Sequence, residues 1–465
     1  MRQHCGVSER VKLGGWTRRR RPAAGLRPTF LFILSLSLTA VYVGFAVYVS
    51  QPWRSDLETA IGPVMSWVIP ILIAYIPGLV IGFLAATLAI SRYRPPALGP
   101  PPGSWSEGEW PPVTLVIAAR NEQDAIVPTL ERIADLSYPG PVLVILADNG
   151  STDLTAGRAE QAAARLGLDF RRIVEPEPGK HKALNTALAA VTTPLLVTVD
   201  ADTFLQRHAL TYLIARVTGR PQDQHVCACA GALVAANAGD TFVTKMQSWD
   251  YRLGINGVKR MQSAYNSALV AQGAFSAYWT DDLRAVGGWP DAIGEDIVLT
   301  WTLMDSRGIV QYEPVALSFT VVPDRLGHFL SQRARWARGM FEGIRTHPPQ
   351  RQPRVLAKFV AGIDYLVPFL DIGYVFFWVP GLILFLFGYP LIFSWLSMLL
   401  VPVTLVIYGL LRRWQEQHVF RLLGIHPAPD KRGFLGYLLA YQLLSSVASL
   451  RGYGQYLRGA TRRWE

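Results

Sequence analysis

Cysteine is scarce in this chain, with three among 465 residues, which excludes a disulfide-stapled scaffold. Cys227 and Cys229 stand two apart, on one face of a strand, a spacing that suits neither a disulfide nor a zinc site; both read as reduced and buried. Internal repeats are missing, so a solenoid or array is excluded. Low-complexity sequence is confined to Arg18-Arg19-Arg20-Arg21 and a Pro-rich stretch. Acidic residues are outnumbered, 34 against 45 lysines and arginines, and the net charge of +11 raises a nucleic-acid reading. Much of that excess flanks apolar runs, where arginines set topology and meet anionic lipid. Membrane lipid and diphosphate, and no nucleic acid, are the expected anions.

Apolar runs are plentiful. Half of the residues are hydrophobic and mean hydropathy is positive, which a purely soluble protein of this size rarely needs. The length suffices for a core-bearing domain of about 250 residues plus membrane helices. Residues 29–50 and 64–90 are uncharged, and each exceeds the ~20 residues that cross a bilayer. The first run follows the four arginines, and Arg92 and Arg94 follow the second. The positive-inside rule then holds the amino terminus and the next domain in the cytosol. A cleaved signal peptide is disfavoured by the long polar lead, the oversized apolar core and the lack of an Ala-x-Ala site. Residues 365–388 and 389–411, closed by Arg412 and Arg413, read as an out-and-back pair. Asp371, inside the first, either lines a channel or lies near headgroups. Residues 434–450 read as a short fifth span or an interfacial helix, and Arg458, Arg462 and Arg463 suit an uncrossed carboxyl terminus. The expected order is a basic cytosolic tail (1–28), two membrane helices (29–90), a stiff Pro-rich linker (91–112) and a hydrophilic domain (113–350). An interfacial helix, two or three membrane helices and a basic tail (351–465) complete it.

Within the hydrophilic domain, residues 113–118, 142–147 and 195–199 are short apolar runs, as for parallel strands covered on both faces. Helical segments are expected at 124–135, 153–166 and 180–190. This rhythm predicts an α/β, doubly wound sheet inserted between transmembrane helices, and such sheets bind ligands beyond the carboxyl ends of their strands. Ala119-Arg120-Asn121-Glu122, Asp148-Asn149-Gly150-Ser151-Thr152-Asp153 and Asp200-Ala201-Asp202 all fall at those ends.

In Asp200-Ala201-Asp202 the carboxylates point to one side of an extended backbone. One hard divalent cation, Mg²⁺ or Mn²⁺, could bridge them to a diphosphate. Asp-x-Asp alone is often only a solvated turn; its place after an apolar strand gives it weight. Asp148 heads a turn shaped by Gly150 and Ser151, while Asp153 caps the next helix; Asp148 is a partner for a base or ribose donor. Gly179-Lys180-His181-Lys182 opens a helix, with cations for a phosphate or base edge. Asp296 either caps the helix after Glu295 or, near a second carboxylate, serves as a base. Gln332, Arg335 and Trp336 share one face of a helix over 325–344, offering a guanidinium to diphosphate and an indole to a sugar ring. Arg333 and Arg338 are expected to face lipid headgroups.

As a set these motifs resemble the membrane-embedded, processive family 2 glycosyltransferases, above all bacterial poly-β-1,6-N-acetylglucosamine synthases. The resemblance covers about 113–343 and includes Gln272-Gly273-Ala274-Phe275, Gly294-Glu295-Asp296-Ile297 and Tyr312-Glu313-Pro314. It implies a GT-A fold, inversion at the anomeric carbon and a UDP-sugar donor. It places Glu122, Asp148, Lys180 and Asp200 at the nucleotide, Asp200 and Asp202 at the metal, and Asp296 as general base. Gln332, Arg335 and Trp336 would form the acceptor and diphosphate site, with Tyr278 and Trp279 extending it. Asn149 replaces a usual aspartate, and Gly294 stands where many members have threonine. No long cyclic-dinucleotide-binding extension is present. The implied partners are a growing polysaccharide, membrane lipid and, as an option, a small accessory membrane subunit. The implied location is the bacterial plasma membrane, multi-pass, with the catalytic domain cytosolic. Rival readings are a non-processive transferase of one sugar to a lipid, and a pseudoenzyme that scaffolds an exopolysaccharide complex.

Overall fold

The computed structural model describes residues 27–96, 110–219, 224–393, 398, 400–427 and 430–459. The arginine cluster at 18–21, most of the Pro-rich linker, and Arg462 and Arg463 lie outside the described residues.

Two apolar helices come first, α1 (Pro28–Val49) and, after the short α2 (Gln51–Ile61), α3 (Pro63–Ile90). The sheet then begins with β1 (Val113–Ala119), α4 (Ile126–Ala134), β2 (Val142–Asp148), α5 (Thr155–Leu166), β3 (Phe170–Val174), α6 (Lys180–Ala190) and β4 (Leu195–Asp200). It continues with β5 (Thr203–Leu205), α7 (Ala209–Thr218), β6 (Val226–Ala235), α8 (Phe242–Trp249), α9 (Asn256–Ala264), β7 (Phe275–Trp279), α10 (Thr280–Ala285), α11 (Glu295–Asp305) and β8 (Ile309–Thr320). Four helices close the chain: α12 (Leu326–Thr346), α13 (Val355–Leu386), α14 (Leu400–Gln415) and α15 (Lys431–Leu457).

The apolar runs become central strands because alternate side chains enter two different cores. Val116, Ile145 and Leu196 meet Ala183, Leu184 and Ala187 of α6 on one face. Leu115, Val144 and Val197 meet Ile126 and Leu130 of α4 and Leu213 of α7 on the other. The eight strands run in the order β3-β2-β1-β4-β7-β6-β8-β5. The first four are parallel, as expected, but β7 is antiparallel to both β4 and β6. The doubly wound reading therefore describes half of a mixed sheet. The fifth position is filled by a strand that runs back from the ligand-binding edge: the Asp200 N–H donates to the Ala274 carbonyl at 3.2 Å, so Gln272-Gly273-Ala274 abuts the end of β4.

Among the described residues, four helices are long and apolar enough to cross a membrane: α1, α3, α13 and α15. Residues 434–450 thus belong to a 27-residue helix long enough to span. The first half of the expected out-and-back pair lies within α13; the second is described only from α14 onward. Asp371 is 5 % exposed. Its two oxygens accept hydroxyls from Ser446 and Tyr453 of α15, each at 2.7 Å, so it joins two helices. An acidic side chain in apolar surroundings persists only with such partners.

Helix α12 links domain to membrane. A Cβ on Gly339 would stand 2.8 Å from the Gly294 Cα, and one on Gly343 would stand 2.8 Å from Ile297, so α12 lies directly on the start of α11. On its other side Gly452 of α15 presses against the Ala334 carbonyl. Gly339→Val should lower the midpoint of thermal unfolding of the detergent-solubilised protein, by an overpacking cost of about 1–3 kcal/mol, since the obstacle is backbone. An unchanged midpoint would show that the two helices separate freely.

Candidate active site

The sequence folds its polar motifs into one edge. Glu122 follows β1, Asp200 and Asp202 end β4, Lys180 opens α6, and Glu295 and Asp296 open α11. Gly179, at φ +144°, adopts a backbone open only to glycine and turns the chain into α6. Asn149 holds that turn: its amide donates to the carbonyls of Glu175 (3.2 Å) and Glu177 (2.7 Å), and its oxygen accepts the Gly179 N–H (2.8 Å). An aspartate could not make the two donated bonds.

Lys180 Nζ meets Asp200 Oδ1 at 2.5 Å. Burial works against the ammonium, yet Asp200, Glu295 and Asp296 together raise its pKa. Burial, then the charges of Asp200 and Glu122, push the Asp202 carboxyl up to about 7, with Lys180 opposing. Glu122 is raised for the same reasons, burial first and then Asp200 and Asp153. Glu295, 6 % exposed, is pushed up to about 8 by burial and by Asp296, against Lys180 and Arg335. Five carboxylates thus share a field that one lysine only partly offsets. The donors are all hard oxygens, and the surplus negative potential that holds protons on Asp202 and Glu295 is what a divalent cation relieves. By donor chemistry Asp200 and Asp202 fit Mg²⁺ or Mn²⁺; among the described residues no three acidic, histidine or cysteine side chains stand together as a ready-made cation cage.

Asp148 lies in a separate group. Adjacent to β1 on the side away from β4, it is 1 % exposed. Oδ2 takes Arg172 Nε at 3.2 Å and Nη2 at 2.7 Å, and Oδ1 accepts the Ser151 N–H at 2.9 Å. Although burial opposes it, these bonds keep the carboxyl below its usual range. Arg172 went unnoticed in the sequence because β3 carries no apolar run.

Of the α12 residues, Gln332 is half-buried with its Oε1 unpartnered among the described residues, and Arg335 is exposed and acts on Glu295 and Tyr251. Trp336 packs beside Tyr251 and Val322. Arg333 corrects the lipid-facing expectation. It is 7 % exposed, 3.2 Å from Asp250, and its guanidinium lies 4.2 Å over the Trp336 ring. Tyr278 and Trp279 are a second correction: they pair with Leu196 and Leu195, at the opposite end of β4 from Asp200. Tyr278 is fully buried and Trp279 Nε1 donates to Val226. Strand direction, which residue spacing does not reveal, takes both away from the site. Lys259 is a further residue the motifs did not flag. Buried in α9, it donates to the Val270 carbonyl at 2.8 Å and to Gln272 Oε1, and burial lowers it to about 7 while Asp296 draws it back up.

Comparison with known proteins bears on the domain that carries this edge. Residues 111–339 match the family described as glycosyltransferase like family 2. These residues form a family 2 glycosyltransferase domain. An N-acetylglucosaminyltransferase of Mesorhizobium japonicum is 30 % identical over 259 residues, 53 % of this chain and 59 % of that protein. A poly-β-1,6-N-acetyl-D-glucosamine synthase of Staphylococcus epidermidis is 30 % identical over 241 residues, 50 % of this chain and 55 % of that protein. The chain therefore spans somewhat over half the length of these curated relatives. A mannosyltransferase of Pyrobaculum calidifontis, solved with GDP-Man and Mn²⁺, superposes with a TM-score of 0.53 at 18 % identity, covering 93 % of this chain and 100 % of that one. The family 2 domain thus has a GT-A-like mixed sheet with flanking helices.

The raised Glu295 carboxyl has a sign that can be tested. Its usual value is 4.5 and its folded value about 8, so the folded protein binds the extra proton, and the stabilisation, complete at low pH, is lost as pH rises through about 8. Glu295→Gln should flatten the fall in thermal midpoint between the usual carboxyl value of 4.5 and the folded value of about 8. Parallel profiles for the two proteins would mean that Glu295 titrates elsewhere.

Proposed function

We propose that the family 2 glycosyltransferase domain works as an inverting, processive polymerase. It takes UDP-N-acetylglucosamine at the cytosolic face of the bacterial plasma membrane and builds a β-linked poly-N-acetylglucosamine that leaves through the membrane helices. The observation that carries this reading is the position of α12. The helix that bears Gln332, Arg335 and Trp336 is held between α11, with its Asp296, and the membrane helix α15. An acceptor bound on α12 is thus at the base and at the bilayer together.

The chemistry follows from the charges. Asp296 accepts the proton of the acceptor hydroxyl; that oxygen bonds to the anomeric carbon from the face opposite the leaving group, and the diphosphate departs with the electron pair of the broken bond. Mg²⁺ or Mn²⁺ at Asp200 and Asp202 would supply charge neutralisation at the diphosphate. Lys180 stays protonated beside Asp200 and carries positive charge to the same place. Glu122 completes the oxygen-rich edge. Asp148 and Arg172 form the wall on the β2 side, where the uridine would bind. Arg335 grips a diphosphate oxygen, Gln332 offers its unpartnered oxygen to a sugar hydroxyl, and Trp336 gives a ring face to the acceptor sugar.

Purified chain in vesicles, supplied with labelled UDP-N-acetylglucosamine and Mn²⁺, should yield products of many residues, cleaved by an enzyme specific for β-linked N-acetylglucosamine. A product one sugar longer than the acceptor contradicts processivity, and incorporation only from another UDP-sugar contradicts the donor. Polymer made by the chain alone dispenses with an accessory subunit. Asp296→Asn should cut turnover by about 10²–10⁴-fold while UDP affinity, measured by calorimetry, stays within a factor of about two. Near-normal turnover in that variant would take the base role from Asp296.

A further inference from the structure

Where α3 ends, a cleft of about 340 Å³ opens between the membrane helices and the domain, lined by Leu88, Ala89, Arg92, Tyr93, Arg94, Arg260, Trp414 and His418. Three of these are arginines, and none of the three forms an ion pair with a carboxylate among the described residues. Glu313, which Tyr93 contacts, is already taken by Arg216. Arg260 is the floor. It is 7 % exposed, its Nε has no hydrogen-bond partner, and its Nη2 reaches only the carbonyls of Leu88 and Ser91, at a long 3.4 Å. The guanidinium lies over the Trp414 indole, 3.6 Å from the ring centroid, and His418 stacks with that ring at 5.3 Å between centroids. Burial lowers Arg260 to about 10, which leaves it charged at any physiological pH.

A buried guanidinium with an idle donor, set below two exposed arginines, is an incomplete charge arrangement: leaving a charge without a counter-ion at this depth is costly. A phosphate oxygen satisfies it, because a guanidinium offers paired donors to phosphate. The cleft lies at the end of a helix long enough to cross a bilayer, and its rim carries the apolar side chains of Leu88 and Ala89 beside the aromatic Tyr93 and Trp414. That mixture suits a molecule with an anionic head and a hydrocarbon tail. We propose that this cleft is a binding site for the phosphate headgroup of an anionic membrane lipid, with Arg260 at its floor and Arg92 and Arg94 at its mouth. The site lies apart from the carboxylate edge and does not depend on the sugar chemistry assigned there.

The test uses the full chain in phosphatidylcholine vesicles doped with phosphatidylglycerol that carries a photoactivatable acyl chain. On illumination, adducts should map to peptides containing residues 88–94 or 414–418 and should saturate with lipid fraction. The Arg92→Gln, Arg94→Gln double variant, altered only at exposed positions, should lose labelling by on the order of tenfold, and Arg260→Gln should lose it as well. The same photolabel on phosphatidylcholine should leave these peptides unmodified. Equal labelling by both lipids, or full labelling of the double variant, overturns the proposal. Protection by millimolar inorganic phosphate or UDP would assign the same chemistry to a soluble anion and likewise overturn the lipid assignment.

Discussion

The contact between Gly294 and Gly339 is the constraint on which the arrangement rests. Two helices meet there backbone to backbone, with no side chain between them. Because α11 begins at that point, the orientation of Glu295 and Asp296 is set by α12, and α12 in turn is set by Gly452 of α15 against Ala334. Small residues permit this series of close approaches, as they do between helices in bilayers. The start of α11 is thereby referenced to the apolar helix α15 through backbone contacts, which side-chain motion does not blur.

A second organising fact is charge imbalance. Glu122, Asp200, Asp202, Glu295 and Asp296 crowd around Lys180, and the cost appears as protons retained on Asp202 and Glu295. A cation bound there would relieve the repulsion among these carboxylates. The opposite imbalance occurs at the end of α3, where Arg92, Arg94 and Arg260 form no ion pair among the described residues. The two regions are electrostatic complements placed at different depths of one molecule.

Much of the fold was legible in the sequence because it depends on local signals. The strand from Val113, the helix Lys180–Ala190 and the helix of Gln332 to Trp336 emerge within a residue or two of expectation, since apolar runs and helical spacing report burial directly. What was hidden depends on partners distant in the chain. β3 is an edge strand, with Arg171 and Arg172 exposed or half-exposed, so it shows no apolar run. The reversal of β7 moved Tyr278 and Trp279 to the far end of the sheet. Arg333 reads as a lipid-facing cation until Asp250 and the surrounding rings appear. Asp371 reads as exposed to water or headgroups until Ser446 and Tyr453 arrive from α15. Motif order pointed to Glu122, Lys180, Asp200, Asp202, Glu295 and Asp296, which begin or end elements at one edge; Lys259 and Arg172, which belong to no motif, gave no signal.

Asn149 has a chemical consequence of another kind. It precedes Gly150, and an asparagine followed by glycine is the step most prone to spontaneous loss of its amide nitrogen, since the unhindered glycine nitrogen can attack the side chain. Three hydrogen bonds hold the amide in the native turn, and opening of that turn during prolonged heating or storage would expose it to the attack. Hydrolysis would leave at position 149 a carboxylate that can still accept the Gly179 N–H but cannot donate to the Glu175 and Glu177 carbonyls. Asn256-Gly257 is a second such step, within a helix, so slow chemical ageing of this protein has two sequence-encoded starting points.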